Sequence, residues 1–139
     1  ESAATVLKDL SKGQRERYRP FPYLHEEMGA ALAAANLAVM RAGASTLGEL
    51  PMFGLPAVLV PYPYAWRYQR VNAEHLASRG GAMLLRDEDL QTRLLPTVAE
   101  LLSDRRRRAA MQRSLKEMAV HDAAAALAAQ LLEMGGRRP

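Results

Sequence analysis

Short apolar runs alternate with stretches of helical spacing along this chain. Residues 37–40 (Leu-Ala-Val-Met), 57–60 (Ala-Val-Leu-Val) and 82–85 (Ala-Met-Leu-Leu) are continuous apolar runs flanked by turn-forming residues. Such runs predict short, well-buried strands. Helical spacing predicts helices over 45–53, 67–78, 90–102 and 104–118, and a last one from an Asp122 cap through 133. Gly80-Gly81 stops the 67–78 helix, and Asp87-Glu88-Asp89 leads into the next. Pro51 falls inside the 45–53 helix, where it loses a backbone bond, so that helix is expected to be short or kinked.

Upstream, Val6, Leu7 and Leu10 predict a helix over 1–11 that stops at Gly13. Residues 17–21 alternate and predict a short strand, which Pro20 and Pro22 confine to an edge. The alanine-rich segment 24–36 predicts a helix with Glu26 and Glu27 in its first turn, where acids suit the dipole. Strands alternating with helices imply an α/β fold, a parallel sheet with helices on both faces. At 139 residues the chain is one domain, and its tail, 135–139, is expected to fray.

Composition narrows the function classes. No cysteine is present, which removes disulfides, thiolate metal sites and a cysteine nucleophile. The net charge of +4 suits an anionic ligand or surface. The longest apolar stretch, 28–40, is mostly alanine and contains Asn36, too short and weak to span a bilayer, so a soluble chain is expected. The chain starts at Glu1 without an initiator methionine, which suggests a piece of a longer protein.

Candidate chemistry concentrates after the first strand, at Arg41-Ala-Gly-Ala-Ser-Thr-Leu-Gly-Glu49. Small residues let backbone N–H groups approach a ligand, and a helix start carries roughly half a positive charge. Together they make an anion site, usually for phosphate. Two readings fit. In one, Thr46-Leu-Gly-Glu49 is a capping box and Glu49 only satisfies the helix start. In the other, the N–H groups of Ala44, Ser45 and Thr46 meet a diphosphate, and Glu49 accepts from a ribose diol. Spacing alone favours the capping box.

After the second strand, residues 64–72 bring Tyr64, Trp66 and Tyr68 together with Gln69 and Asn72. This is either loop packing or a sugar site, in which amides read hydroxyls and rings cover the apolar face. His25, His75 and His121 lack metal-ligand spacing and read as structural or exposed. Ser45 has no nucleophile-elbow context, and no dinucleotide or Walker motif is present. Arg105, Arg106, Arg107 and Arg108 read as a solvated helix face in preference to a nucleic-acid site.

The stretch 22–73 resembles the MurG family of bacterial glycosyltransferases, which add N-acetylglucosamine to the lipid-linked peptidoglycan precursor. The resemblance is carried by Leu24-His-Glu-Glu-Met28, Ala35-Asn-Leu-Ala-Val39, Arg41-Ala-Gly-Ala-Ser-Thr46, Glu49, Gly54-Leu-Pro-Ala57, Pro61, Gln69, Asn72 and Ala73. A weaker similarity extends it to about 18–133. It implies a Rossmann-like domain, the C-terminal half of a GT-B fold truncated at its N-terminal side. It also implies an inverting transfer from UDP-N-acetylglucosamine to the lipid-linked muramyl-pentapeptide in peptidoglycan synthesis, and so a part in cell wall biogenesis, cell shape and division. No cofactor, no metal and no catalytic residue within these residues are implied.

Carried over position by position, the resemblance places a backbone group of His25 at uracil. It places the amides of Ala44, Ser45 and Thr46 at the diphosphate, Glu49 at the ribose and Gln69 at the sugar. It thus turns Glu49 from a cap into a ligand. Tyr64 departs from the histidine common in the family, Tyr68 from a second glutamine or a histidine, and Pro51 from small helix formers. The Gly-Gly-Ser phosphate loop that opens the family's C-terminal half has no counterpart here, and neither has the acceptor domain. The expected partners are therefore UDP-N-acetylglucosamine, a lipid acceptor held by the N-terminal half, and a second copy at an open sheet edge. Nucleic acid is not expected. The expected location is the cytoplasmic face of the bacterial plasma membrane, with the 139-residue piece inactive alone. Two further classes stay open: a stand-alone nucleotide-sugar-binding subunit, and a non-enzymatic basic module binding anionic polymers.

Overall fold

The computed structural model describes residues 10–136. It divides into two compact units, 1–31 and 32–139. In the first, Ser11 and Gln14 form a capping box that starts helix α1, Lys12–Arg17. The expected helix over 1–11 falls almost wholly outside the described residues. Gly13 does not stop a helix; it lies inside α1, because the reciprocal Ser11–Gln14 bonds set the start at Lys12. The strand expected over 17–21 is absent. Arg17 ends α1, and 18–21 joins no sheet. Pro20 and Pro22 have no N–H to give a ladder.

Helix α2, Met28–Ala34, starts four residues later than the sequence predicts. Residues 25–27 form a turn, in which the Met28 N–H donates to the His25 carbonyl at 3.3 Å. Glu26 and Glu27 precede the helix and are not part of its first turn.

The second unit carries the sheet. Strands β1 (Ala38–Met40), β2 (Ala57–Leu59) and β3 (Ala82–Leu84) pair in parallel in the order β1-β2-β3. Ala38, Ala57 and Ala82 stand in register. Helices α3 (Thr46–Phe53) and α4 (Trp66–Ser78) make the two crossovers. A 3-10 turn, Asp87–Asp89, leads to α5 (Leu90–Ser103), then α6 (Arg105–Glu117) and α7 (Ala123–Gly136). Every strand and helix predicted from residue 37 to 122 is present within one or two residues. The last helix runs three residues past 133, and 137–139 of the tail lie outside the described residues.

Strand side chains alternate between faces, and the core follows that period. Ala57 and Leu59 join Leu50, Ala73, Leu76 and Leu115 on one face. Val58 and Val60 join Leu85, Leu101 and Met111 on the other. The central strand is buried on both sides, which fixes the doubly covered α/β architecture. Pro51 is tolerated because α3 is only eight residues long. The helix closes with Gly54 at φ 58°, where Gly54 and Leu55 return N–H bonds to Pro51 and Leu50. Gly81 lies so close to Leu115 that a Cβ there would stand 2.7 Å from Leu115 Cδ2.

Candidate functional site

Parallel strands put the turns after β1, β2 and β3 along one sheet edge, the usual place for a ligand in open α/β sheets. The first turn, 41–45, is held from both sides. Thr46, 1% exposed, donates through its hydroxyl to the Arg41 carbonyl at 3.3 Å. Asn72 on α4 donates through its side-chain amide to the Ala42 carbonyl at 3.0 Å. Asn72 therefore supports the turn, whereas the sequence offered it as a sugar reader.

The capping box that spacing alone favours at Thr46 and Glu49 does not form. Ser45 is the N-cap, with no side-chain cap bond, and Thr46 is the first helical residue. The Glu49 N–H bonds the Ser45 carbonyl at 2.9 Å. The Glu49 carboxylate is half-buried, and it makes no hydrogen bond or ion pair with the described residues. Thr46 N–H is engaged with the Gly43 carbonyl at 3.2 Å, while those of Ala44 and Ser45 have no acceptor among the described residues. An open pair of amides at a helix start, one turn from an unpaired carboxylate, suits a ligand that is anionic at one end and hydroxylated at the other. Thr46→Val should leave the turn less firmly held. The expected loss of stability is about 0.5–1.5 kcal/mol, read by thermal unfolding.

Behind the second turn, Gln69 stands near the start of α4. Its Oε1 accepts from the Tyr62 N–H at 2.9 Å, so its NH2 group is the end left for a ligand. Tyr62 and Tyr64 stack edge to face at 5.6 Å, and Tyr64 and Tyr68 are exposed. Arg41 leans over the Tyr62 ring at 5.3 Å, donates to the Val60 and Pro61 carbonyls and pairs with Asp87. Beside this cluster lies an open cavity of about 790 Å3 between the Pro61–Tyr64 loop and the Arg86–Glu88 loop. Sequence reasoning missed Arg41 and Asp87 as partners; forty-six residues separate them, and no motif links them.

His25 is exposed and lies in the first unit. Its carbonyl is taken by Met28, and its ring stands 4.6 Å from that of Tyr23. His75 and His121 are also exposed. The arginine run is only partly a solvated face. Arg107 pairs with Glu100 and Arg108 donates to the Leu101 and Leu102 carbonyls, so these two hold the α5–α6 junction. Arg86, bonded to Asp89 and facing the charges of Asp89 and Glu88, has its pKa raised above the ordinary guanidinium value. Among the described residues no helix is long and apolar enough to cross a membrane.

Residues 2–127 match the family model of the glycosyltransferase family 28 C-terminal domain. Curated relatives share the name UDP-N-acetylglucosamine–N-acetylmuramyl-(pentapeptide) pyrophosphoryl-undecaprenol N-acetylglucosamine transferase. The one from Chlorobium phaeobacteroides is 46% identical over 115 residues, covering 81% of this chain and 31% of the relative. The one from Roseiflexus is 39% identical over 142 residues, covering 88% of this chain and 32% of the relative. Among solved structures, Acinetobacter baumannii MurG superposes with a TM-score of 0.75 at 28% identity, covering 83% of this chain and 33% of that one. The chain spans about a third of the length of the relatives it matches.

Proposed function

This chain belongs to the glycosyltransferase family 28 C-terminal domains, and we propose from that membership that it is the donor-binding part of an inverting N-acetylglucosaminyltransferase. The donor is UDP-N-acetylglucosamine, and the acceptor is the lipid-linked muramyl-pentapeptide of peptidoglycan synthesis. One observation carries the reading: the Ala44 and Ser45 amides, open among the described residues, stand one helical turn from the Glu49 carboxylate, which has no partner among them. The relatives' names supply the nucleotide sugar that fits this pair.

In the proposed reaction an acceptor hydroxyl attacks the anomeric carbon. A new glycosidic C–O bond forms, the C–O bond to the diphosphate breaks, and UDP leaves with inversion. Charge grows on the leaving diphosphate, and preorganised amides at the helix start stabilise it. The Ala44 and Ser45 amides line that end while Thr46, whose N–H and hydroxyl are engaged, supports the turn; Glu49 holds the ribose hydroxyls, and Gln69 donates its NH2 group to the sugar. The acceptor and the catalytic base belong to the rest of the enzyme, which works at the cytoplasmic face of the plasma membrane. Among the described residues the outer edge of β1 has no strand beside it, and another strand or a second copy would add there.

The test is UDP release by the full-length enzyme supplied with UDP-N-acetylglucosamine and the lipid-linked acceptor. Turnover that needs both substrates is expected, with none from the 139-residue chain alone. Turnover by the isolated chain, or a full-length enzyme indifferent to the acceptor, would contradict the reading.

A further inference from the structure

The geometry points to Asp87 as a positioning residue that sets the sugar end of the donor site through Arg41; this rests on the donor-binding reading above. Asp87 follows β3, far from the turn at 41–49 in sequence. Its carboxylate pairs with the Arg41 guanidinium at the end of β1. The same guanidinium donates to the carbonyls of Val60 at 3.2 Å and Pro61 at 3.4 Å, and covers the Tyr62 ring. Tyr62 in turn fixes Gln69, because its N–H donates to Gln69 Oε1 at 2.9 Å. The contacts form one chain across three strand ends: Asp87, Arg41, the Pro61-Tyr62 backbone, Gln69.

The chemistry gives each link a direction. A guanidinium has five N–H donors in a planar fork and no acceptor. The same Nη1 group that pairs with Asp87 donates to the two backbone carbonyls, so the ion pair holds that group where it serves them. Without Asp87 the cation is free to turn to solvent, since its side chain is 45% exposed. The Tyr62 segment then loses its anchor. Gln69 has a second use for that anchor: with Oε1 occupied by the Tyr62 N–H, its amide cannot flip, and NH2 is the end presented. Asp87 thus decides which end of the Gln69 amide faces a sugar hydroxyl. The diphosphate turn is held by Thr46 on the Arg41 carbonyl and Asn72 on the Ala42 carbonyl, bonds that do not use the Arg41 guanidinium. Loss of Asp87 should therefore weaken recognition of the sugar and spare recognition of UDP.

The experiment is calorimetric titration of the full-length enzyme with UDP-N-acetylglucosamine and, separately, with UDP. Asp87→Ala is expected to lower affinity for the sugar nucleotide about tenfold, a shift of roughly 1.4 kcal/mol, while UDP affinity stays within about twofold. Asp87→Asn, which keeps the size and one hydrogen bond, covers the case in which the alanine variant does not fold. It should show the same selectivity with a smaller loss. Gln69→Ala should show it too, and the double variant Asp87→Ala with Gln69→Ala should lose no more than Gln69→Ala alone, because residues in one hydrogen-bonded chain are not additive. Equal losses for both ligands, no loss, or additive losses overturn the positioning role. If the wild type binds the sugar nucleotide and Gln69→Ala weakens it while both Asp87 variants do not, only this inference fails. If the wild type does not bind UDP-N-acetylglucosamine, the donor-binding reading itself fails and this inference with it.

Discussion

Replacing Glu49 by alanine is expected to lower affinity for UDP-N-acetylglucosamine by roughly ten- to a hundredfold, about 1.5–3 kcal/mol for hydrogen bonds to a charged acceptor. Thermal stability should change by less than about 1 kcal/mol, the most that a carboxylate near a helix start usually gives. The separation of the two effects follows from the structure. The carboxylate caps nothing and pairs with nothing among the described residues, so its removal leaves no orphaned partner. A cap would behave the other way, with stability falling and donor affinity holding. Titration calorimetry and a thermal melt on the same two proteins distinguish these outcomes.

Leu115→Ala is expected to cost about 2–5 kcal/mol of stability, read from the denaturant midpoint, because a buried leucine leaves a cavity that the surroundings only partly fill. Leu115 on α6 is fully buried and packs with Leu50 of α3, Leu76 of α4 and the residues of β2. It also fills the space against Gly81 that a side chain there would otherwise take. Donor affinity of the folded variant should stay near that of the wild type, since Leu115 lies in the core and takes no part in the turns that form the site. A midpoint unchanged from wild type would show that α6 does not close this core.

Much of the sheet was legible because its strands are continuous apolar runs. A run such as Ala57-Val58-Leu59-Val60 is short, holds two valines and lies between Pro56 and Pro61, which reads as a strand covered on both sides. Glycines at positive φ, 58° at Gly54 and 76° at Gly80, mark the stops that the sequence places after α3 and α4. The segment before residue 37 was harder. Its described residues up to 31 are almost all exposed, so apolar periodicity carries little information there. Local hydrogen bonding decides instead: Ser11 with Gln14 sets one helix start, and the His25 turn delays the next.

At the site, the sequence located the turn and its residues but misassigned two bonds. A Thr-x-x-Glu spacing looks the same whether threonine precedes the helix or opens it. Only the backbone settles that Ser45 is the cap and that Thr46 turns back to Arg41. Asn72 looked like a sugar reader because amides beside aromatics are what sugars need, yet its NH2 group holds Ala42. The Arg41–Asp87 pair was invisible because tertiary contacts between strand ends leave no spacing in the sequence. The family resemblance read from the 41–49 and 54–73 blocks agrees with the family 28 match over 2–127.

The most direct test of the donor site is a crystal structure of the full-length enzyme with UDP-N-acetylglucosamine bound. The expected result places diphosphate oxygens within hydrogen-bond distance of the Ala44 and Ser45 N–H groups, with a ribose hydroxyl on the Glu49 carboxylate. A donor bound elsewhere, or one that leaves Glu49 without contact to the ribose, would contradict the assignment.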